Sequence, residues 1–153
     1  MTYELVELKD MMVAGLSART NNYAPDMGNV IGGLWAQFMG AYSSVLYKAN
    51  EKTLGIYTEY EGRETEDYSV LAACEVKKTE GQPDGITIKT IPAGTYAKFT
   101  AEGEGKEAVA KVWQNLWNMD LSRSFVCDFE EYEKTEEGRC RIHIYICLLY
   151  TSP

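Results

Sequence analysis

Histidine is almost absent from this sequence, since His143 is the only one in 153 residues. A metal site built on paired histidines, or a proton relay between two of them, is therefore impossible. The four cysteines form no C-x-x-C pair and match no zinc spacing. We predict no metal site and no cofactor, and we interpret the cysteines as small core side chains. They are Cys74, Cys127, Cys140 and Cys147.

Basic residues are few, because 15 Lys and Arg stand against 23 Asp and Glu, for a formal net charge of -8. Affinity for DNA or RNA depends on phosphate contacts from clustered Lys and Arg, and the chain has no basic stripe. We therefore predict no direct nucleic-acid binding. A negative surface instead attracts cations toward any cleft that it surrounds.

Long hydrophobic runs are also missing. The longest, residues 142–150, is interrupted by His143 and is too short to cross a bilayer, so we predict no membrane span. The chain begins with no recognisable secretory signal, and we expect a protein of the reducing cytoplasm. Its length and 45% apolar content suit one domain over residues 1–153. The last residues, 148–153, show no apolar alternation, and we make no structural prediction for them.

The chain does contain a repeated plan. Residues 1–80 and 85–148 each read as strand, helix, strand, strand. Residues 5–15 match 88–98 at an offset of about 83 if both are strands. Two similar halves predict a pseudo-twofold body with a cleft along its axis, where ligands commonly bind.

The offset shrinks along the second half, which indicates shorter loops there. Apolar positions of the two predicted helices match at an offset of about 78, which places Trp35 on Trp113. In the strands that follow, an offset of about 72 places Tyr57 on Phe129.

Apolar spacing gives the elements of each half. We predict strands over residues 5–18, 54–60, 68–76, 86–100, 125–132 and 139–148, and helices over 27–42 and 106–119. The fold class is therefore α+β, with two modules sharing a pseudo-twofold antiparallel sheet, two main helices and a central cleft. Three glycines in the first helix lower its helix propensity, so we expect each to approach a sheet or a ligand closely. They are Gly32, Gly33 and Gly40.

Glu130 is a carboxylate set between the aromatic residues Phe129 and Tyr132, near the end of a predicted strand. A carboxylate removed from water must be protonated, paired or available to a cation. Aromatic rings add about 0.5 to 2 kcal/mol when the guest is cationic. We therefore predict a site for a hydrophobic, often cationic, small molecule. The candidate ligand-binding residues are Glu130, Tyr132, Trp35, Trp113, Tyr57 and Tyr145.

Three segments carry a family resemblance: YTEY at 57–60, IPAGTY at 91–96 and RSFVCDFEEY at 123–132. Through them the chain resembles the GyrI-like effector-binding domains of AraC-type and MerR-type bacterial multidrug regulators. It is especially similar to stand-alone members such as the integron-cassette effector-binding proteins. In that family the F-E-x-Y glutamate lies in an aromatic pocket and meets cationic amphipathic drugs. The resemblance thus implies ligand contacts for Glu130 and Tyr132.

Two departures accompany the resemblance. The last strand reads His143-Ile144-Tyr145-Ile146-Cys147, without the acidic residue and the proline that are common there. The regulators of the family also carry a DNA-binding module, which we do not find in this sequence, so a role in transcription regulation would require a partner.

Two alternatives to simple binding remain open. Some GyrI-like proteins resemble hydrolases of reactive, ring-strained compounds, and in such an enzyme Glu130 would act as the general base. A protein-interaction role like that of the gyrase-inhibitor members is the second alternative. The acidic surface permits that role without specifying a partner.

Overall fold

The computed structural model describes residues 2–62, 66–101, 105–135 and 140–149. These residues form eight strands, two α-helices and one short 3-10 helix. In chain order they are β1 (Glu4–Leu8), β2 (Met11–Thr20), α1 (Met27–Ala41), the 3-10 helix Tyr42–Ser44, β3 (Thr53–Thr58), β4 (Tyr68–Glu75), β5 (Thr87–Ile91), β6 (Gly94–Thr100), α2 (Gly105–Trp117), β7 (Arg123–Lys134) and β8 (Cys140–Leu148). The predicted α+β class with two main helices is confirmed. Residues 150–153 lie outside the described residues. They are most of the chain end for which we made no structural prediction.

The sheet is antiparallel, and its strand order is symmetric: β1-β6-β8-β7-β3-β4-β2-β5. The second half of the chain supplies β6, β8 and β7, and the first half supplies β3, β4 and β2 in mirrored order. Each half sends its first strand to the far edge of the other half, because β1 pairs with β6 and β5 pairs with β2. The halves therefore complete each other.

The long strands predicted over 5–18 and 86–100 are each two strands. The first breaks at Lys9-Asp10 and the second at Pro92-Ala93. Because two residues join β1 to β2 while these strands lie near opposite edges, the sheet must curve until its edges approach there. The two breaks meet, since the Ala93 amide donates a hydrogen bond to Asp10 Oδ1 at 2.7 Å.

Strand register supplies the correspondence between the halves. β1 and β2 match β5 and β6 at the predicted offset of 83. In the first half Ala14 pairs with Cys74, and in the second Ala97 pairs with Ile146. Since position 14 corresponds to 97, position 74 corresponds to 146, and β4 matches β8 at the predicted offset of 72.

The same reasoning carries one strand further, to the middle of the sheet. Ala73 pairs with Leu54 in the first half, and Tyr145 pairs with Phe129 in the second. Since 73 corresponds to 145, Leu54 corresponds to Phe129. β3 therefore matches β7 at an offset of 75 rather than 72.

This offset of 75 defines the centre of the molecule. Tyr57 corresponds to Tyr132, and not to Phe129 as predicted. Gly55 corresponds to Glu130, and these two residues are also paired with each other across β3 and β7. The pseudo-twofold axis therefore passes between Gly55 and Glu130.

Both helices pack on one face of the sheet. α1 buries Leu34 and Phe38 on β2 and β4, and α2 buries Val112 and Leu116 on β6 and β8. The other face carries a third apolar cluster that includes residues of β7 and β8. β4 lies between β2 and β3 and is buried along nearly its whole length, which explains its continuous apolar sequence.

Two expectations about small residues need correction. Cys74, Cys127 and Cys147 are buried as predicted, but Cys140 is exposed because it begins an outer end of β8. The expected close approach of the α1 glycines to the sheet is wrong. A Cβ atom on any of them would meet nothing within 4 Å; they are Gly32, Gly33 and Gly40.

No helix in the described part of the chain is long and apolar enough to cross a membrane.

Candidate functional site

Glu130 lies on the pseudo-twofold axis and its side chain points toward the helices. Side chains alternate along a strand, so Asp128, Glu130 and Tyr132 share this face while Phe129 and Glu131 face the other way. Only 4% of Glu130 is exposed. The carboxylate is thus enclosed between β7 and the layer of helices.

Three neutral donors from three different elements hold this carboxylate. The Tyr132 hydroxyl donates to Oε1 at 2.5 Å. The Trp113 indole Nε1, from α2, donates to Oε2 at 2.7 Å, and the Tyr57 hydroxyl, from β3, donates to the same oxygen at 3.1 Å. Hydrogen bonds to an ionised acceptor are stronger than neutral ones, so this arrangement favours the charged form.

Burial acts in the opposite direction. It raises the pKa of Glu130 above its usual range, and the hydrogen bonds from Tyr132, Trp113 and Tyr57 offset this only in part. Burial and the neighbouring Glu130 charge also raise the pKa of Tyr57 and of Tyr132, so both phenols remain protonated donors. Among the described residues no Lys, Arg or His forms an ion pair with Glu130.

The rings around Glu130 follow the pseudo-twofold axis. Trp35 of α1 meets Tyr132 edge-on with centroids 5.5 Å apart, and Trp113 of α2 meets Tyr57 edge-on at 5.6 Å. Each helix therefore places its tryptophan against a tyrosine on the central strand of the other half. This geometry confirms the predicted match of Trp35 with Trp113.

The symmetry is broken at the axis itself, where one half has a carboxylate and the other has glycine. A Cβ atom on Gly55 would lie 3.1 Å from Glu130 Oε1 and 3.2 Å from Trp35 Cζ2. Gly55 thus leaves the space that the carboxylate and the Trp35 ring occupy.

A cavity of about 210 Å³ lies beside this centre, between α1, α2 and the sheet. Tyr57 and Trp113 face it and separate it from Glu130. The residues that line it are Asn22, Met27, Ile31, Tyr57, Tyr60, Tyr68, Ala110, Trp113, Gln114, Trp117 and Arg123. Aromatic rings therefore form much of its wall, with Glu130 directly behind them.

A second buried carboxylate, Asp128, lies next to the cavity and is fully paired. Its Oδ2 accepts hydrogen bonds from Arg123 Nη2 at 2.9 Å and from the Tyr60 hydroxyl at 2.6 Å. Its Oδ1 accepts the backbone N–H of Cys147 at 3.0 Å. The charge of Asp128 is thus balanced by Arg123, unlike that of Glu130.

The structure brings together five of the six predicted site residues, and Tyr145 is the exception. It stacks on Phe129 with centroids 4.5 Å apart and an interplanar angle of 12°, on the face away from the helices. On β8 it is Ile144 that pairs with Glu130 and shares its face. His143 and Tyr145 do share a face, as predicted.

The predicted ligand-binding residues leave out several residues that line the cavity. Trp117 follows Trp113 by one helical turn, so helical spacing could have indicated it. Tyr68 begins β4 opposite the end of β3, a position that only the sheet register reveals. Arg123 begins the segment 123–132 that carries the family resemblance, but no role was predicted for it, and its pairing with Asp128 draws it inward.

A pseudo-twofold antiparallel sheet with two helices on one face, a ring-lined cavity and one buried axial carboxylate defines an effector-binding domain of the GyrI-like type. The chain belongs to the family of integron-associated effector binding proteins, whose sequence model matches residues 4–148. No curated protein sequence matches this chain.

Solved structures agree with this assignment. An integron cassette protein from Vibrio cholerae is 25% identical, with a TM-score of 0.74 over 95% of this chain and 94% of that one. A protein solved with tetraphenylphosphonium bound is 17% identical, with a TM-score of 0.76 over 95% and 93%. The C-terminal domain of EcmrR is 14% identical, with a TM-score of 0.60 over 99% and 100%. The last two likenesses concern the fold alone.

Proposed function

We propose that this protein binds hydrophobic small molecules, preferably cations, in the cavity between α1 and α2. The observation that carries the proposal is Glu130: it is 4% exposed, it accepts three neutral hydrogen bonds, and no described basic side chain neutralises it. A lipophilic cation in the cavity would supply the missing positive charge.

The charges around the cavity favour a cation. Arg123 lines the cavity, but Asp128 at 2.9 Å balances its charge. When Glu130 is ionised, its negative charge is then the one in excess. The Tyr57 and Trp113 rings line the cavity beside Glu130, and their quadrupoles add to the attraction wherever a cation meets a ring face.

The size of the cavity indicates that side chains move when a ligand enters. Sites for drug-sized ligands have volumes of about 300 to 1,000 Å³, and this cavity has about 210 Å³. Trp117 lines it while 51% exposed. Its rotation away from the cavity would enlarge the site without disturbing the core. The likeness in fold to a protein bound to tetraphenylphosphonium supports the choice of ligand class.

The hydrolase alternative has less support. Glu130 already accepts three hydrogen bonds and is only 4% exposed, so a substrate or a water would have to displace part of the surrounding wall before Glu130 could act as a general base. No described feature points to a particular protein partner, and a regulatory role would still require one.

Isothermal titration calorimetry with tetraphenylphosphonium tests the proposal. We expect saturable binding to the wild type and a dissociation constant at least about tenfold weaker for Glu130→Gln, since a charge contact of about 1.4 kcal/mol is lost. The matched control is Glu131→Gln, on the same strand but facing the other side, where Lys52 Nζ lies 3.7 Å from its carboxylate. Equal affinities for both variants would refute a role for Glu130.

A further inference from the structure

We propose that Arg123 provides a second polar contact in the cavity, its Nε–H donating a hydrogen bond to an acceptor oxygen of the ligand. The inference rests on the proposed function in one respect, that ligands occupy this cavity. It adds a class of ligand that the Glu130 charge does not explain: aromatic compounds with a neutral acceptor oxygen.

The first observation is an unsatisfied donor. Arg123 lines the cavity, and its side chain is only 7% exposed. Its Nε is buried and has no hydrogen-bond partner among the described residues. Buried donors in folded proteins are almost always paired, and one left unpaired is costly. Because Nε has almost no accessible surface, the cavity must widen, as proposed above, before a ligand acceptor can reach and satisfy it.

The second observation explains why Asp128 leaves this donor free. An Arg–carboxylate pair usually forms two parallel hydrogen bonds, one to each oxygen. Here only Nη2 contacts the carboxylate, through Oδ2. The other oxygen, Oδ1, accepts the Cys147 backbone N–H. The β7–β8 register shifts between Arg123 and Asp128, which allows these two side chains on one strand to meet through this hydrogen bond.

The third observation is that the guanidinium is held in place. Its Cζ lies 4.3 Å from the centroid of the Phe125 ring and 5.9 Å from that of Trp113. Rings on the faces of a guanidinium leave its in-plane N–H groups as the available contacts. A ligand that packs on Trp113 would therefore come close to the edge of Arg123.

The charge balance selects the kind of acceptor. Asp128 already neutralises Arg123, and Glu130 leaves the site negative. An anionic group on the ligand would be repelled, whereas a neutral carbonyl, ether or oxide oxygen can accept from Nε–H without that cost. The site thus pairs a cation subsite at Glu130 with an acceptor subsite at Arg123.

Two probes of similar shape separate the subsites. Tetraphenylphosphonium has a positive charge and no acceptor, and triphenylphosphine oxide has a strong acceptor and no charge. Each is titrated by calorimetry into wild type, Glu130→Gln and Arg123→Lys. Lysine keeps the positive charge beside Asp128 but has no Nε–H. The control is Arg141→Lys, at a side chain that is 56% exposed.

We expect Arg123→Lys to weaken binding of triphenylphosphine oxide about tenfold and that of tetraphenylphosphonium by less than about twofold, the scale of one charge-assisted hydrogen bond. Glu130→Gln should give the reverse pattern, and Arg141→Lys should change neither affinity. A measurement on the wild type avoids any folding defect of the variant. The Arg123 Nε–H signal in a ¹H–¹⁵N spectrum should move with the oxide and not with the cation.

The outcomes distinguish the two proposals. If the oxide does not bind, or binds without moving the Nε–H signal and equally well to Arg123→Lys, the acceptor subsite is refuted, whatever the cation does. If the oxide depends on Arg123 and the cation does not bind, the acceptor subsite stands and the cation preference fails.

Discussion

At the scale of single residues, the site depends on a carboxylate that is held by uncharged hydrogen-bond donors. Tyr57, Trp113 and Tyr132 each donate one hydrogen bond to Glu130 and each belongs to a different element. These bonds hold the side chain in one position without cancelling its charge. Rigid placement and an uncancelled charge are what recognition of a cation requires.

The raised pKa of Glu130 has a consequence for stability. A carboxyl group with a folded pKa above its unfolded value near 4.3 holds its proton more tightly when folded. Its favourable contribution is therefore present at low pH and is lost as the pH rises from the unfolded pKa through the folded one. We expect wild type to lose stability relative to Glu130→Gln across this range, measured by urea unfolding at a series of pH values.

Comparison of these two proteins isolates Glu130, because Asp128 titrates in both. A stability difference that stays constant with pH, or that changes in favour of the wild type as the pH rises, would show that the pKa of Glu130 is not raised.

Gly55 gives a second prediction at this scale. In Gly55→Ala the new methyl group would lie 3.1 Å from Glu130 Oε1 and 3.2 Å from Trp35 Cζ2, so one of these packed groups must shift. Overpacking of this kind costs about 1 to 3 kcal/mol. We expect a loss of that size in the free energy of unfolding by urea, together with weaker binding of tetraphenylphosphonium. Unchanged stability and affinity would mean that the carboxylate does not need this space.

At the scale of elements, the helices act as supports for two tryptophans. α1 and α2 bury apolar stripes on opposite halves of the sheet, and this packing aims Trp35 and Trp113 at the axis from both sides. The sequence of α1 lowers its helix propensity, because it contains glycines that no packing contact requires.

This difference leads to a prediction for α1. Gly33 is exposed, and a Cβ atom there would meet nothing within 4 Å. Alanine restricts the unfolded chain and favours the helix by about 0.5 to 1 kcal/mol relative to glycine. We expect Gly33→Ala to raise the free energy of unfolding by that amount in urea titrations. It also serves as the matched control for Gly55→Ala, and destabilisation by both substitutions would contradict this assignment of the two glycines.

At the scale of the whole molecule, the exchange of first strands makes the halves interdependent. β1 pairs only with β6, and β5 pairs only with β2, among the strands of the described chain. A single half would therefore leave one strand without its partner and expose the central strand that carries the site.

We expect the fragments 1–84 and 85–149 to show no cooperative unfolding when studied separately, because each lacks the strand that completes its edge. Mixing them should restore a folded complex. Near-ultraviolet circular dichroism, which reports the packed aromatic rings, measures both states. A cooperative transition with a native-like spectrum from either fragment alone would refute the interdependence.

Much of this architecture was accessible from local pattern. The helical spacing around Trp35 and Trp113 predicted both helices and their shared role, because three- and four-residue periodicity depends only on near neighbours. The predicted strands were close to those observed, apart from the bends at residues 9–10 and 92–93. Glu130 was identifiable because it lies between aromatic residues and belongs to the segment 123–132 that carries the family resemblance.

Other features depend on pairing between distant segments, which local pattern does not encode. The position of Tyr145 on the far face follows from the β7–β8 register, and the alignment of Tyr57 with Tyr132 follows from β3 and β7 together. Arg123 lies in the site because it pairs with Asp128, which the strand register places beside it. A shift of one residue exchanges the two faces of a strand, so strand positions on the axis or in the cavity are set by long-range packing.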